Sequence, residues 1–310
     1  MVTLKRRARV PAVSGAWGDA HSAETVWPAP AKLNLLLHIT ARRADGYHEL
    51  QTIFQLLDLC DSVGISVRGD GLIERPEGPP GVTVEQDLAV RAARALQAAC
   101  GTRLGATLRL QKRIPMGGGL GGGSSDAATV LVALNRLWGL DLPHSRLAQI
   151  GLMLGADVPV FVHGSSAWAS GRGEILEALE LPRRWYVIID PGVAVSTSDV
   201  FQAPELTRNS PIITIRDLFG GSGTAGQWRN DCEPVARHRY PEVGAALDWL
   251  SRLAPARLTG TGGCMFAEFA RAEDAEVVAA RVPSHWRSFV AQGLATSPLH
   301  ARLRREAARG

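Results

Sequence analysis

Residues 115–128 read PMGGGLGGGSSDAA, with glycine at 117, 118, 119, 121, 122 and 123. Glycine lacks a Cβ, so such a run reaches positive φ and lets another group approach the backbone closely. Residues 106–110 (ATLRL) before it alternate as a short strand does, and residues 126–138 (DAATVLVALNRLW) after it form an apolar run of helical length. A glycine loop that opens a helix presents unpaired amides and the positive end of the helix dipole, and the two together bind phosphate. Ser124 and Ser125 suit an N-cap, and their hydroxyls could reach a phosphate oxygen or a metal. The plain alternative is a loop and cap without a ligand; against it stands the entropy lost in ordering glycines that nothing uses. The Walker pattern fails because the loop has no Gly-Lys-Ser/Thr. Gly117, Gly119 and Gly122 match G-x-G-x-x-G, but no ribose-binding acid is evident about 20 residues on, so a dinucleotide fold is the weaker alternative.

Few other side chains stand out. Lys5, Lys32 and Lys112 are the only lysines, while arginines are plentiful. Lys32 sits in a strand-like stretch, 26–40 (VWPAPAKLNLLLHIT), where it and Asn34 alternate with leucines and share a face. Either it is an exposed strand lysine or it is a compact ammonium that arginine cannot replace. Asp45-Gly46 signals a turn, and Tyr47 and His48 follow at once. The pair either packs the turn or stacks on and hydrogen-bonds a base. Asp157, in GADVPVF, is either a helix N-cap or a carboxylate projected into a cleft. Residues 258–269 (LTGTGGCMFAEF) read as strand, glycine turn and strand; Gly260, Gly262 and Gly263 either make a hairpin or admit something close to the backbone.

The elements that must hold these residues follow from periodicity. Strands are expected over 50–59, 63–67, 166–179, 185–190 and 286–292. An amphipathic helix is expected over 86–100, with Leu88, Ala92, Ala95, Leu96 and Ala99 inward and Gly101 as its stop. Further helices are expected over 143–154, from 198–201, and over 230–239, 242–253 and 272–280, with a frayed basic tail over 301–310. Residues 1–24 read as a disordered leader, and Pro191-Gly192 as a boundary between halves.

Composition narrows the function. A chain of 310 residues suits about two domains. No run of about 18 apolar residues offers a membrane span. The net charge of +4 suits anionic ligands, and basic residues are scattered rather than interleaved with aromatics, which argues against nucleic acid. Cys60, Cys100, Cys232 and Cys264 are far apart, as expected of reduced, buried thiols in the cytosol, and the histidines show no metal-binding spacing.

Three segments, 28–34 (PAPAKLN), 115–128 and 258–269, together resemble the three motifs of the GHMP small-molecule kinases. Residues 42–55 (RRADGYHELQTIFQ), 151–161 (GLMLGADVPVF) and 206–211 (LTRNSP) extend the resemblance to a branch of isoprenoid synthesis whose substrate carries a cytidyl diphosphate. The resemblance covers 27–303 and implies a two-domain α+β GHMP kinase fold with its active site in the interdomain cleft. Its parts would be a leader over 1–26, an N-terminal domain over 27–185 and a C-terminal domain over 186–310. It also implies ATP and Mg²⁺. Pro115, Met116, Gly117, Gly118, Gly119, Leu120, Gly121, Gly122, Gly123, Ser124 and Ser125 would hold the ATP phosphates. Asp157 would be the catalytic carboxylate and Lys32 its partner, with Asn34 placing the acceptor. Tyr47 would stack on the cytosine, His48 would hydrogen-bond it, and Phe201 would cover it. Gly260, Thr261 and Gly262 would line the cleft beside the acceptor. The implied protein is a cytoplasmic monomer or homodimer acting on a small molecule, with no nucleic acid or membrane partner. A mevalonate or homoserine kinase of the same family is disfavoured by 45–48 (DGYH), and a non-catalytic sensor by the retention of both Lys32 and Asp157.

Overall fold

Two long strands set the frame. β1 (Thr25–Arg42) and β2 (His48–Arg68) pair antiparallel around the Asp45-Gly46 turn, where Gly46 takes φ +85°. Among the named strands β1 pairs with β2 alone, its other edge being bridged at Leu37 to Asn230, and a strand with such an edge tolerates the missing amides of Pro28 and Pro30. β2 is continuous where the sequence suggested two strands. Asp61 stays within it because its carboxylate accepts from the amides of Arg113 and Ile114 and from Lys112. The described residues are 23–219 and 228–308 of this computed structural model, so the leader expectation lies almost wholly outside them.

The remaining strands are β3 (Ile73–Glu74), β4 (Gly105–Gln111), β5 (Ala167–Ser170), β6 (Ile175–Ala178), β7 (Trp185–Asp190), β8 (Ala256–Leu258), β9 (Met265–Phe269) and β10 (Arg287–Leu294). They join in the order β3-β4-β2-β10-β7-β9-β8, with β1 and β5 also on β2, and β6 on β5. The expected strand over 166–179 is this β5–β6 hairpin, turned at Gly171 and Gly173 with φ +69° and +109°. β10, from the end of the chain, pairs with β2 at Gly293↔Leu57 and Leu294↔Leu56 and so stitches the two halves.

The helices are α1 (Leu88–Cys100), α2 (Gly122–Leu137), α3 (His144–Leu152), α4 (Val158–His163), α5 (Thr197–Gln202), α6 (Ile215–Phe219), α7 (Glu233–Arg239), α8 (Pro241–Ser251), α9 (Ala272–Ala279) and α10 (Pro298–Ala307). One core buries α1, α2 and α4 against β2 and β4; a second buries α7 and α8 against β7 and β9. A third, with Leu33, Ile53, Leu57, Ile188 and Phe266, runs between them through β1, β2, β7 and β9. Each such buried side chain contributes about 1.5–3 kcal/mol. Mixed helix and mostly antiparallel sheet make this an α+β fold, as expected.

The described part of the basic tail, 301–308, is not frayed. α10 starts on a Ser297 cap that accepts from the Leu299 amide, with Pro298 in its first turn. Leu299 is buried in the first core, and the Arg302 guanidinium sits 4.9 Å from the Trp27 ring. The arginines that made the segment look like a solvated tail lie along a helix whose apolar face is docked.

Candidate active site

The glycine loop leads into α2 earlier than expected. Gly121 holds φ +74° at the N-cap position, no side chain caps the helix, and Ser124 and Ser125 fall inside its first turn. Ser124 lines a cavity of about 620 Å³, together with Met116 through Gly123, Lys32, Asn34, Asp157, Phe201, Gly260 and Thr261. Ser125 is fully buried, and its Oγ has no hydrogen-bond partner among the described residues.

Lys32 is 2% exposed. Its Nζ lies 3.2 Å from Asp157 Oδ2 and donates to Asn34 Oδ1 at 2.5 Å. Its backbone amide donates to the Leu120 carbonyl at 3.0 Å, which clips the glycine loop to β1. A Cβ on Gly121 would come within 3.2 Å of Lys32 Cε and 2.9 Å of the Phe161 ring, so this glycine makes room for the ammonium. Asp157 stands at the N-cap position of α4 but bonds no helix amide; its half-buried carboxylate faces Lys32 instead. Asn34 spends its oxygen on Lys32 and its amide on Thr52 Oγ1 at 2.9 Å, so it fixes the lysine as well as lining the cavity.

The third motif closes on the first. Gly263 takes φ +92°, and a Cβ there would meet the Gly117 carbonyl oxygen at 2.5 Å. The Cys264 amide donates to the Gly118 carbonyl at 3.0 Å. Thr259 Oγ1 accepts from the Asn34 amide at 3.0 Å. The close approach that these glycines permit is that of the other glycine loop. Gly260 and Thr261 also line the cavity, whereas Gly262 packs toward Leu258, Ala236 and Val195.

Tyr47 and His48 part company. Tyr47 is 57% exposed, with Arg172 4.8 Å from its ring centre. His48 is buried and stacks on Phe201, ring centroids 5.2 Å apart at 20°. Burial lowers the pKa of His48, and the nearby Arg208 and Arg42 lower it further.

Relatives carry the same outline. The family model for the GHMP kinases N terminal domain matches residues 87–165, and that for GHMP kinases C terminal matches 218–288. A 4-diphosphocytidyl-2-C-methyl-D-erythritol kinase of Halorhodospira halophila is 56% identical over 288 residues, which is 92% of this chain and 98% of that protein. One from Alkalilimnicola ehrlichii is 57% identical over 280 residues, 90% of this chain and 94% of that protein. A crystal structure of 4-(cytidine 5'-diphospho)-2C-methyl-D-erythritol kinase superposes with a TM-score of 0.76 at 33% identity, covering 87% of this chain and all of that one. The chain belongs to the 4-diphosphocytidyl-2-C-methyl-D-erythritol kinase family of the GHMP kinases.

Two features of this GHMP kinase escaped the sequence. One is a further apolar lining of the cavity by Pro79, Val82, Leu88, Ile114 and Met116, together with Gln86, Asp87 and Lys112. It is assembled from a turn, a helix start and a strand end, and no local pattern marks it. The other is a buried triad beneath the loop. Lys112 Nζ donates to Asp126 Oδ2 at 2.5 Å and to Asp61 Oδ2. Burial raises the pKa of Asp126, against the pull of Lys112; burial alone would lower Lys112, but Asp126 and Asp61 outweigh it and raise the lysine. The scarcity of lysine was the one available signal.

Proposed function

We propose that this chain is an ATP-dependent kinase that phosphorylates the 2-hydroxyl of 4-diphosphocytidyl-2-C-methyl-D-erythritol, in the cytoplasm, as a step of non-mevalonate isoprenoid synthesis. The observation that carries the reading is the Lys32–Asp157 ion pair at 3.2 Å on the wall of a cavity shared with the glycine loop. The loop's amides and the α2 dipole hold the ATP phosphates, and the apolar wall of Pro79, Val82 and Leu88 takes the adenine. Phe201, which lines the cavity, holds the cytosine together with Tyr47 and the stacked His48, and a stacked base contributes about 1–3 kcal/mol.

Phosphoryl transfer asks the protein for position and charge rather than covalent chemistry. Asp157 accepts the proton of the acceptor hydroxyl as the oxygen moves toward the γ-phosphorus. Lys32, held by Asn34 and Asp157, places a fixed positive charge beside the developing alkoxide. No group of three or more His, Cys, Asp or Glu side chains among the described residues makes a metal cage. Mg²⁺ keeps waters and phosphate oxygens and needs only one or two protein oxygens; Ser124 lines the cavity and would supply one. When bound, the ion neutralises charge on the phosphates.

The test is ADP release from ATP and magnesium with three acceptors in parallel: the cytidyl substrate, mevalonate and homoserine. Turnover with the cytidyl substrate alone is expected. Turnover with another acceptor would keep the kinase and discard the substrate, and silence from folded protein that still binds ATP would leave a sensor.

A further inference from the structure

Phosphoryl transfer makes no use of the segment 206–211, LTRNSP. Arg208 within it makes four hydrogen bonds through its guanidinium. Nε donates to Nε2 of His48 at 3.1 Å, Nη1 to the Leu206 carbonyl at 3.1 Å, and Nη2 to the carbonyls of Phe201 at 3.0 Å and Ala203 at 2.6 Å. One side chain thus ties the start of β2, which carries His48, to the end of α5, which carries Phe201, 153 residues on in the sequence.

The bond to His48 has a definite sense. A guanidinium has donors only and stays protonated, so Nε2 of His48 is the acceptor. A neutral imidazole that accepts at Nε2 carries its proton on Nδ1. Burial and two neighbouring guanidiniums, Arg208 and Arg42, disfavour a second proton on the ring. His48 therefore offers a ligand a donor.

We propose that Arg208 is a positioning residue: it holds His48 as the neutral Nδ1–H tautomer and so makes the base site select cytosine over uracil. The inference rests on the reading that His48 and Phe201 bind the nucleobase. Ring nitrogen N3 is an acceptor in cytosine and a donor N–H in uracil. Nδ1–H pairs with the first and faces the second donor to donor, leaving both groups unsatisfied. The alternative tautomer would present Nδ1 as an acceptor and reverse the preference. The same guanidinium, through the Phe201 carbonyl, keeps the stacking ring over the site while the imidazole reads the edge.

The first experiment needs neither a variant nor a substrate. ¹⁵N NMR of histidine-labelled wild-type protein at neutral pH is expected to show His48 with a protonated Nδ1 and a bare Nε2. A protonated Nε2, alone or in an imidazolium, overturns the proposal even if the cytidyl substrate is turned over. The second compares kcat/KM for the cytidyl substrate and its uridyl analogue in wild type and Arg208→Met. The wild-type preference for cytidyl is expected to fall about 10- to 100-fold in the variant. The loss should fall on KM for the cytidyl substrate, with KM for ATP unchanged. Equal use of both nucleotides by wild type, or an unchanged preference in a folded Arg208→Met, overturns the proposal. Failure of wild type to use either nucleotide overturns the kinase reading and the selectivity with it, and the NMR result then judges the tautomer alone.

Discussion

Lys32 is an ammonium taken out of water, and Asp157 and Asn34 are the partners that hold it. Replacing Asp157 by Asn removes the proton acceptor and keeps the shape. The expected result is a fall in kcat of about 10²–10⁴-fold, with KM for either substrate little changed. Near-normal kcat would withdraw the base role. Lys32→Met is expected to lose kcat on a similar scale. Because the two act as one unit, the double variant should lose little more than the worse single one, as steady-state kinetics would show. Lys112 makes a different prediction. It stands between two buried carboxylates, so Lys112→Met leaves both without their counter-charge and is expected to cost about 3–5 kcal/mol in urea unfolding. The sequence singled out Lys32 because lysine is rare in this chain, yet for Asp157 its residue pattern favoured the helix cap over the cleft. A pair 125 positions apart becomes a pair only when β1 and α4 are brought together. Asp126 showed no sign at all, since it opens the helix expected over 126–138 and an acid at a helix start is ordinary.

At the scale of elements, α10 shows where composition misleads. Its arginines suggested a solvated tail, while its apolar positions dock it on the first half. The contact has a pH signature. His300 Nε2 donates to the Val162 carbonyl, 3.0 Å away at the end of α4, and His144 lies edge-on at 4.9 Å. Burial first, and then the charge of His144, push its pKa from 6.5 down to about 4; the bond to Val162 opposes them. The unfolded chain therefore takes up this proton first as pH falls. Stability from the neutral ring is present above about 6.5 and drains away as pH drops toward about 4. His300→Gln, which keeps a polar partner for Val162, is expected to flatten that part of the unfolding free energy against pH. An unchanged slope would place the acid sensitivity elsewhere. By contrast α1 was legible to within two residues, because an Asp87 cap, a clean apolar face and Gly101 in the left-handed region all agree. α2 began four residues before the expected start because its first turn is built of glycine and serine, which carry no helical signal.

Across the whole molecule, the two glycine motifs are halves of one joint. The sequence could say that something approaches each backbone closely, and the fold shows that each is what the other approaches. Gly119 takes φ +76°, and a Cβ there would fall on the Thr259 carbonyl oxygen. Thr259 cannot easily yield, because its hydroxyl accepts from the Asn34 amide and Asn34 in turn holds Lys32. A shift at this point moves the ammonium as well as the loop. Gly119→Ala is therefore expected to lose stability, by at least about 1–3 kcal/mol, and turnover together. Gly123→Ala is the control. It sits in the first turn of α2 without positive φ, and a Cβ there would meet only Leu88 Cδ1 at an ordinary 3.6 Å. Its stability should hold, and any loss should appear in KM for ATP, because the added methyl would stand in the wall of the phosphate cavity. Thermal unfolding and initial rates on both variants separate a crowded phosphate site from a sprung joint. If Gly119→Ala unfolds where wild type does and keeps its kcat, the joint does not position Lys32, and the coupling of the two motifs to the chemistry is withdrawn.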